Sequence, residues 1–407
     1  MEQHYPDVVR CTLSPEERRV PVSENGTPLV IKPLKSSSKA FLREFLVTHS
    51  REILNDAAQH GAVLLRGFDL ESPQDFEQQI LSIRGMRGVR DILLSEQGRT
   101  IQEGTRFVFH TNTLFKTGGG LTFGVFHTEN YFLPDVPRYI SFFCRRPGTL
   151  GGETGLINTA KVYDDLPEVT QSRLERGPCL VCLHPAAEIM SRYQLSPQSM
   201  DEFYRGAGLP VVTVDDVRHL AIYKPNVIQH PMTGEKSLAI NFGYIDGLEK
   251  PLCEAFLADY SGWRWLPHRL VWQVSWLQQL YERHYLRRVK KTGAAYLRKA
   301  VSPVSDARTL TTLFSPDEIQ PLAASMRRRY SSFLWQRGDV LIVDNLKLAH
   351  SGMAGYGDRE LSVMLCNVVP LPASGLGSGL YVVPSNDSRE SLGAQVERFR
   401  VEVDSAA

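Results

Sequence analysis

From residue 38 the chain reads SKAFLREFLVTHSREILNDAAQH, with apolar residues recurring every three or four positions, and this spacing predicts one amphipathic helix. GAVLLRGF, residues 61–68, is a short apolar run opened by Gly61 and closed by Gly67, and predicts a buried strand. ESPQDFEQQILSI predicts a second helix, with Ser72 as N-cap and Pro73 in its first turn. From about Tyr139 the period changes. The runs YISFFC, CLVCL, VVTV, HLAIYK, SLAINF, DVLIVDN and ELSVMLCNVV are β-type and separated by Gly, Pro or charged residues, which favours a sandwich or jelly roll over a parallel sheet. Between SLAINF and DVLIVDN the helical pattern returns in EKPLCEAFLADY, RLVWQVSWLQQLYERHYLRRVKK and PDEIQPLAASMRRRY. We read this as a helical insertion, about residues 245–330, in a mainly β domain with flanking helices (α+β). Residues 1–38 read as a loose lead-in with one or two short strands, the first part of an N-terminal buttress over about residues 1–100. The tail after Pro370 is Gly- and Ser-rich and reads as surface or partly disordered.

Composition narrows the partners rather than the fold. A chain of 407 residues suits two average domains or one large β-rich domain with insertions; we read a single domain over 1–407. Lys plus Arg is 46 against 45 for Asp plus Glu, so a formal charge of +1 offers no global field for nucleic acid or an anionic membrane. Cys11, Cys144, Cys179, Cys182, Cys253 and Cys366 mostly sit in apolar runs and are not spaced as a disulfide framework. No run approaches the roughly 20 apolar residues of a membrane span, and the N-terminus lacks an export signal. A reduced, cytoplasmic protein is expected.

The candidate chemistry lies in HTENYF and downstream of it. Residues two apart on extended backbone project to one side, so His127 and Glu129 can present an imidazole and a carboxylate to one point. A histidine just past a strand end, His350 in DVLIVDNLKLAHSG, supplies a third donor. Two histidines and one carboxylate with open positions suit non-haem Fe(II). The same set suits a catalytic zinc, so the ligands alone leave an oxygenase and a hydrolase open.

GAVLLRGF (61–68), HTENYFLPDVPRYISFFCRRPGTLGGET (127–154) and GDVLIVDNLKLAHSGMAGYGDR (338–359) resemble, in order, the signature blocks of the TauD/TfdA-type Fe(II)/2-oxoglutarate-dependent oxygenases. The resemblance implies a double-stranded β-helix (jelly roll) and iron held by His127, Glu129 and His350. It implies 2-oxoglutarate and O2 as cosubstrates, with succinate and CO2 formed as hydrogen is removed from an unactivated C–H. The far carboxylate of 2-oxoglutarate calls for an arginine fork and a hydroxyl donor, and the family pattern places these at Arg359 and Thr154. Many members carry a second arginine four residues on, where this chain has Val363. Glutamate as the carboxylate resembles the subgroup acting on amino acids and antibiotic precursors. Its presence implies hydroxylation over halogenation, with desaturation or ring formation open. A small amino-acid-like substrate, free or presented by a carrier protein, is expected, with no nucleic acid and no membrane. A non-catalytic jelly-roll binding protein with a vestigial site is the reading furthest from this one.

Other signals carry less. Cys179, Cys182 and His184 form C-x-x-C-x-H without a second pair, and a buried strand explains the run better. FKTGGGLTFG, residues 115–124, lacks the ending of a phosphate loop and reads as a loop beside the site, a candidate lid. His110, His219 and His230 read as core or surface histidines. Residues 263–299 mix tryptophans with Arg and Lys and read as an amphipathic helix on the barrel, or else as a docking face for an acidic carrier.

Overall fold

The structure, a computed structural model, describes residues 5, 7–20, 26–89, 100–111, 126–130, 135–176, 178–187, 190, 196–199, 201–202, 211–214, 216–274, 277, 280, 308–370 and 381–382. The first strands are β1 (Val8–Cys11), β2 (Leu29–Pro33), β3 (Ala62–Leu65), β4 (Val108–His110) and β5 (Asp135–Arg146). Then come β6 (Leu150–Gly151), β7 (Thr154–Asn158), β8 (Pro178–Pro185), β9 (Val211–Val214), β10 (Val217–Pro225), β11 (Val227–Gln229) and β12 (Lys236–Leu238). After the helical interval follow β13 (Arg308–Thr309), β14 (Tyr330–Ser331), β15 (Val340–Asp344), β16 (Leu348–Gly352), β17 (Gly355–Tyr356), β18 (Glu360–Pro370) and β19 (Tyr381–Val382).

One large sheet has the order β1-β2-β3-β15-β5-β18-β4, and a smaller one, β14-β7-β16, faces it. The apolar runs are continuous because both faces of the large sheet are covered. Val63, Leu65, Val340, Ile342, Phe143 and Met364 pack on one side against Leu42, Phe45, Ile53, Phe76 and Ile80 of the N-terminal helices. Alternate residues Leu64, Leu341, Val343, Ile140, Phe142, Val363 and Leu365 turn the other way and meet Leu156 and Leu348 of the small sheet. That second cluster is the interior of the jelly roll. Beyond the small sheet the helices Glu249–Leu257 and Pro316–Arg328 lay Phe256, Leu322 and Met326 on Ile157, Ala349 and Met353. The result is helices, large sheet, small sheet, helices.

Several expectations need correction. The stretch from residue 38 is two helices, Lys39–Thr48 and Ser50–His60, because the backbone turns at His49 (φ −105°, ψ 27°). There the Ser50 hydroxyl donates to the Leu46 carbonyl (2.6 Å) and accepts from the Arg84 N–H (2.8 Å), a side-chain alternative to the helix ladder. The lead-in is not loose. β2 pairs parallel with β3, Val30 and Ile31 are fully buried, and Arg18 reaches Ser331 of β14 (2.8 Å). SLAINF is strand only to Leu238; Asn241 then bridges His127 and its side chain accepts from Gly243, starting a 3-10 turn at Phe242–Tyr244. Ser72 caps the helix Pro73–Ser82 with a capping box to Asp75, as its sequence requires. Gly61 ends the second helix at φ 78°, and the space a Cβ would take is filled by the Leu348 side chain, which seats β16 against the N-terminal layer.

C-x-x-C-x-H lies within β8, with Cys179 fully buried. Residues 115–124, residues 275–276, 278–279 and 281–299 of the basic segment, and the tail apart from β19 lie outside the described residues. Within 263–273, Trp265 is buried in the outer core while Trp263 and Leu270 are exposed. Among the described residues no helix is long and apolar enough to cross a membrane.

Candidate metal centre

His127 and His350 are directly opposed. His127 N–H donates to the His350 carbonyl (3.2 Å) and His350 N–H to the His127 carbonyl (3.0 Å), so both side chains emerge on one side, with ring centroids 4.7 Å apart. That side is the jelly-roll interior, since Leu348 precedes His350 by two residues and Phe142 packs edge-on against the His350 ring (5.5 Å). Glu129, two residues past His127, closes the group. Its Oε2 is 3.7 Å from His127 Nε2 and 3.5 Å from His350 Nε2, and the donor atoms of all three lie within 4.8 Å of one another.

These distances fit a shared cation. Two atoms each about 2.1 Å from one ion are about 3 Å apart at right angles and about 4 Å when nearly opposed. Among the described residues this is the one group of three His, Cys, Asp or Glu side chains so arranged. Glu129 is 3% exposed and the His127 side chain 25%, so the group opens on the His127 side. Two imidazoles and a carboxylate are the donor set of an Fe(II) site with positions left for cosubstrate and oxygen.

The sequence reading missed what holds Glu129 in place. Asn345, buried just past β15, accepts the Glu129 N–H at Oδ1 (2.7 Å) and donates from Nδ2 to the Glu129 (3.3 Å) and Pro137 (2.8 Å) carbonyls. The turn is tightened by Asn130 at φ 57°, whose carbonyl accepts from the buried Lys224 ammonium (3.3 Å). Asp344, beside Asn345, accepts the Leu346 N–H (3.1 Å) and lies 2.9 Å from His230 Nε2. His230 Nδ1 takes the N–H groups of Met232 and Thr233, so His230 is a core histidine as its sequence context suggests. Asp-Asn closing an apolar strand was the available signal; its partner, 216 residues away, was not. Asn345→Ala is expected to weaken iron affinity about 10- to 100-fold, read by equilibrium metal titration, with a loss under twofold counting against the clamp.

The expected cosubstrate residues sit on the neighbouring strands. Thr154 opens β7, is buried, and pairs with Gly352, two residues past His350. Arg359 precedes β18, is buried, and its Nη1 donates to the Gly152 carbonyl, two residues before Thr154. Burial lowers the Arg359 guanidinium to about 10, with Cys144 and Glu153 acting the other way, so it stays cationic at neutral pH. A buried guanidinium held two residues before a buried threonine suits the far end of a dicarboxylate. Val363 is buried among the apolar residues of the interior, so that position offers no second cation.

The interior site between two sheets, with its two histidines, one carboxylate and buried arginine, fits an iron- and 2-oxo-acid-using oxygenase. The chain belongs to the taurine catabolism dioxygenase TauD, TfdA family, whose sequence profile matches residues 31–263. It is an Fe(II)/2-oxoglutarate-dependent dioxygenase, which decides against the zinc hydrolase and the vestigial binding protein. The matched span contains His127, Glu129 and Thr154 and ends before His350 and Arg359. The chain is 23% identical over 360 residues to the dapdiamide synthesis protein DdaC of Enterobacter agglomerans, covering 85% of this chain and 93% of that protein. Among solved structures, a taurine dioxygenase from Burkholderia xenovorans aligns over 97% of this chain and 100% of its own, at 14% identity and TM-score 0.49. PvcB of Pseudomonas aeruginosa aligns over 90% and 94%, at 12% identity and TM-score 0.44.

Proposed function

We propose that this dioxygenase hydroxylates an unactivated C–H of an amino-acid-like small molecule, free or carrier-bound, in a biosynthetic pathway, and acts as one catalytic unit. The observation that carries the site is the His127, Glu129 and His350 cluster at the interior of the jelly roll. These residues would hold the iron, and Thr154 and Arg359 the far carboxylate of 2-oxoglutarate. Bound iron and 2-oxoglutarate together supply the oxidising power that removes a hydrogen from carbon, with succinate and CO2 as the cosubstrate's products. The chain's own part is positional. Asn345 fixes the backbone from which the Glu129 side chain projects, Phe142 limits the swing of the His350 ring, and the apolar lining of Leu156, Leu348 and Val363 excludes water. Likeness to a dapdiamide synthesis protein supports an amino-acid-derived substrate.

Anaerobic titration of the metal-free protein with Fe(II) and 2-oxoglutarate tests the site. A weak visible charge-transfer band is expected, with succinate formed in air only when an amino-acid-like substrate is added. Absence of the band, or succinate release indifferent to every amino-acid-like compound, would remove the reading.

A further inference from the structure

Glu153 stands between the two residues that frame the proposed cosubstrate pocket, Gly152 and Thr154, and the reaction gives it no role. Its side chain is fully buried, and Oε2 has no hydrogen-bond partner among the described residues. Oε1 accepts from the Tyr260 hydroxyl (3.2 Å), and Arg19 Nε lies 3.9 Å away. Arg19 is itself fixed, packed over the rings of Tyr260 (4.9 Å) and Trp265 (4.7 Å) and donating to the Asp259 carbonyl (3.0 Å). A carboxyl from the GGET turn, an arginine from the lead-in and a tyrosine from the insertion thus meet in one largely buried cluster.

The charged and titratable groups that act on Glu153 come from four segments: Arg19 and Tyr260 in contact, and Tyr330 of β14 and Arg359 through their electrostatic fields. The Asp259–Arg327 ion pair (2.6 Å) lies next to Tyr330 and is internally balanced. Burial lifts the Glu153 carboxyl to about 7, with its own backbone N–H, Arg19, Tyr260 and Arg359 pulling it down. It therefore changes charge near neutrality, one residue from the carbonyl that Arg359 grips.

We propose that Glu153 is a positioning residue for 2-oxoglutarate: neutral, it leaves the Arg359 guanidinium to the incoming carboxylate, and ionised, it competes for that cation and repels the ligand. The inference rests on the assignment of Arg359 to 2-oxoglutarate. The sign follows directly. Below about pH 7 the carboxyl is protonated and affinity is high; above it the cosubstrate must bind beside a second buried carboxylate, so affinity falls.

The test is the equilibrium dissociation constant of 2-oxoglutarate, read anaerobically at saturating Fe(II) at about pH 6 and about pH 8. The native protein is expected to bind about fivefold or more weakly at the higher pH. Glu153→Gln is expected to remove that dependence and stay near the tight value, whereas a merely structural role would weaken binding equally at both. Arg19→Met keeps the stem over Trp265 but removes the cation, so the fall should move to higher pH. Arg359→Ala is the control. If it weakens binding while Glu153→Gln still follows the native pH trend, or if Arg19→Met leaves the fall in place, the Glu153 inference is overturned alone. If Arg359→Ala leaves affinity unchanged, the cosubstrate assignment fails and takes the inference with it.

Discussion

His350→Ala is expected to lower 2-oxoglutarate-dependent turnover by about a thousandfold or more, equivalent to ~4 kcal/mol of transition-state stabilisation. His350 is the buried histidine of the cluster, 3.5 Å from Glu129 Oε2, and its loss leaves two donors, one of them on the open side. The fold should survive. The bridge between His127 and His350 is made by backbone groups, and β16 pairs with β7 through five residues, so neither depends on the imidazole. Succinate formation, bound iron and thermal unfolding should be measured together, with turnover and iron lost while the melting temperature shifts by a few degrees. His230→Ala gives the opposite pattern, because His230 holds Asp344 (2.9 Å) and touches none of the three candidate ligands: iron is retained and stability falls. Substantial turnover in His350→Ala, or activity restored by zinc without 2-oxoglutarate, would contradict the assignment.

What the sequence made legible was set by local pattern. The runs YISFFC, DVLIVDN and ELSVMLCNVV are strands at the positions their apolar content implied, because each is buried on both faces and no polar pairing competes. Ser72 was readable for the same reason, since a capping box closes within four residues. The break at His49 was not, because it is decided by Arg84, which docks on Ser50 from 34 residues away. Likewise His127 and Glu129 were visible as a spaced pair, but Asn345 and Arg19 gain meaning only when the fold carries them to Glu129 and Glu153. The lead-in reads as loose because it is polar and Pro-containing, whereas Arg18 and Arg19 direct their charges into the molecule.

Asp339→Ala is expected to cost about 3–5 kcal/mol, a large share of the 5–15 kcal/mol that holds a typical domain together. Asp339 is fully buried in the turn before β15, and its two oxygens take Arg66 Nε (3.0 Å) and Nη2 (2.7 Å) as a fork, with the Gln336 N–H adding a third bond (2.8 Å). Arg66 is 3% exposed, and its other donors serve Glu17 (2.9 Å) and the Leu334 carbonyl (2.7 Å). Removing Asp339 leaves Glu17 as the one carboxylate bonded to a guanidinium that water cannot reach. The cost is that of leaving a buried guanidinium short of charge pairing and its Nε–H without its acceptor, more than of losing an attraction. Replacing both partners separates these causes: Arg66→Met with Asp339→Leu should recover most of the loss in urea unfolding, at an unchanged dependence on denaturant. A single-variant loss under ~1 kcal/mol, or a double variant as unstable as Asp339→Ala, would show that the pair is not organised this way. The effect should also reach the metal site, since β15 runs from this turn to Asn345, so iron affinity should fall with stability in Asp339→Ala and return in the double variant.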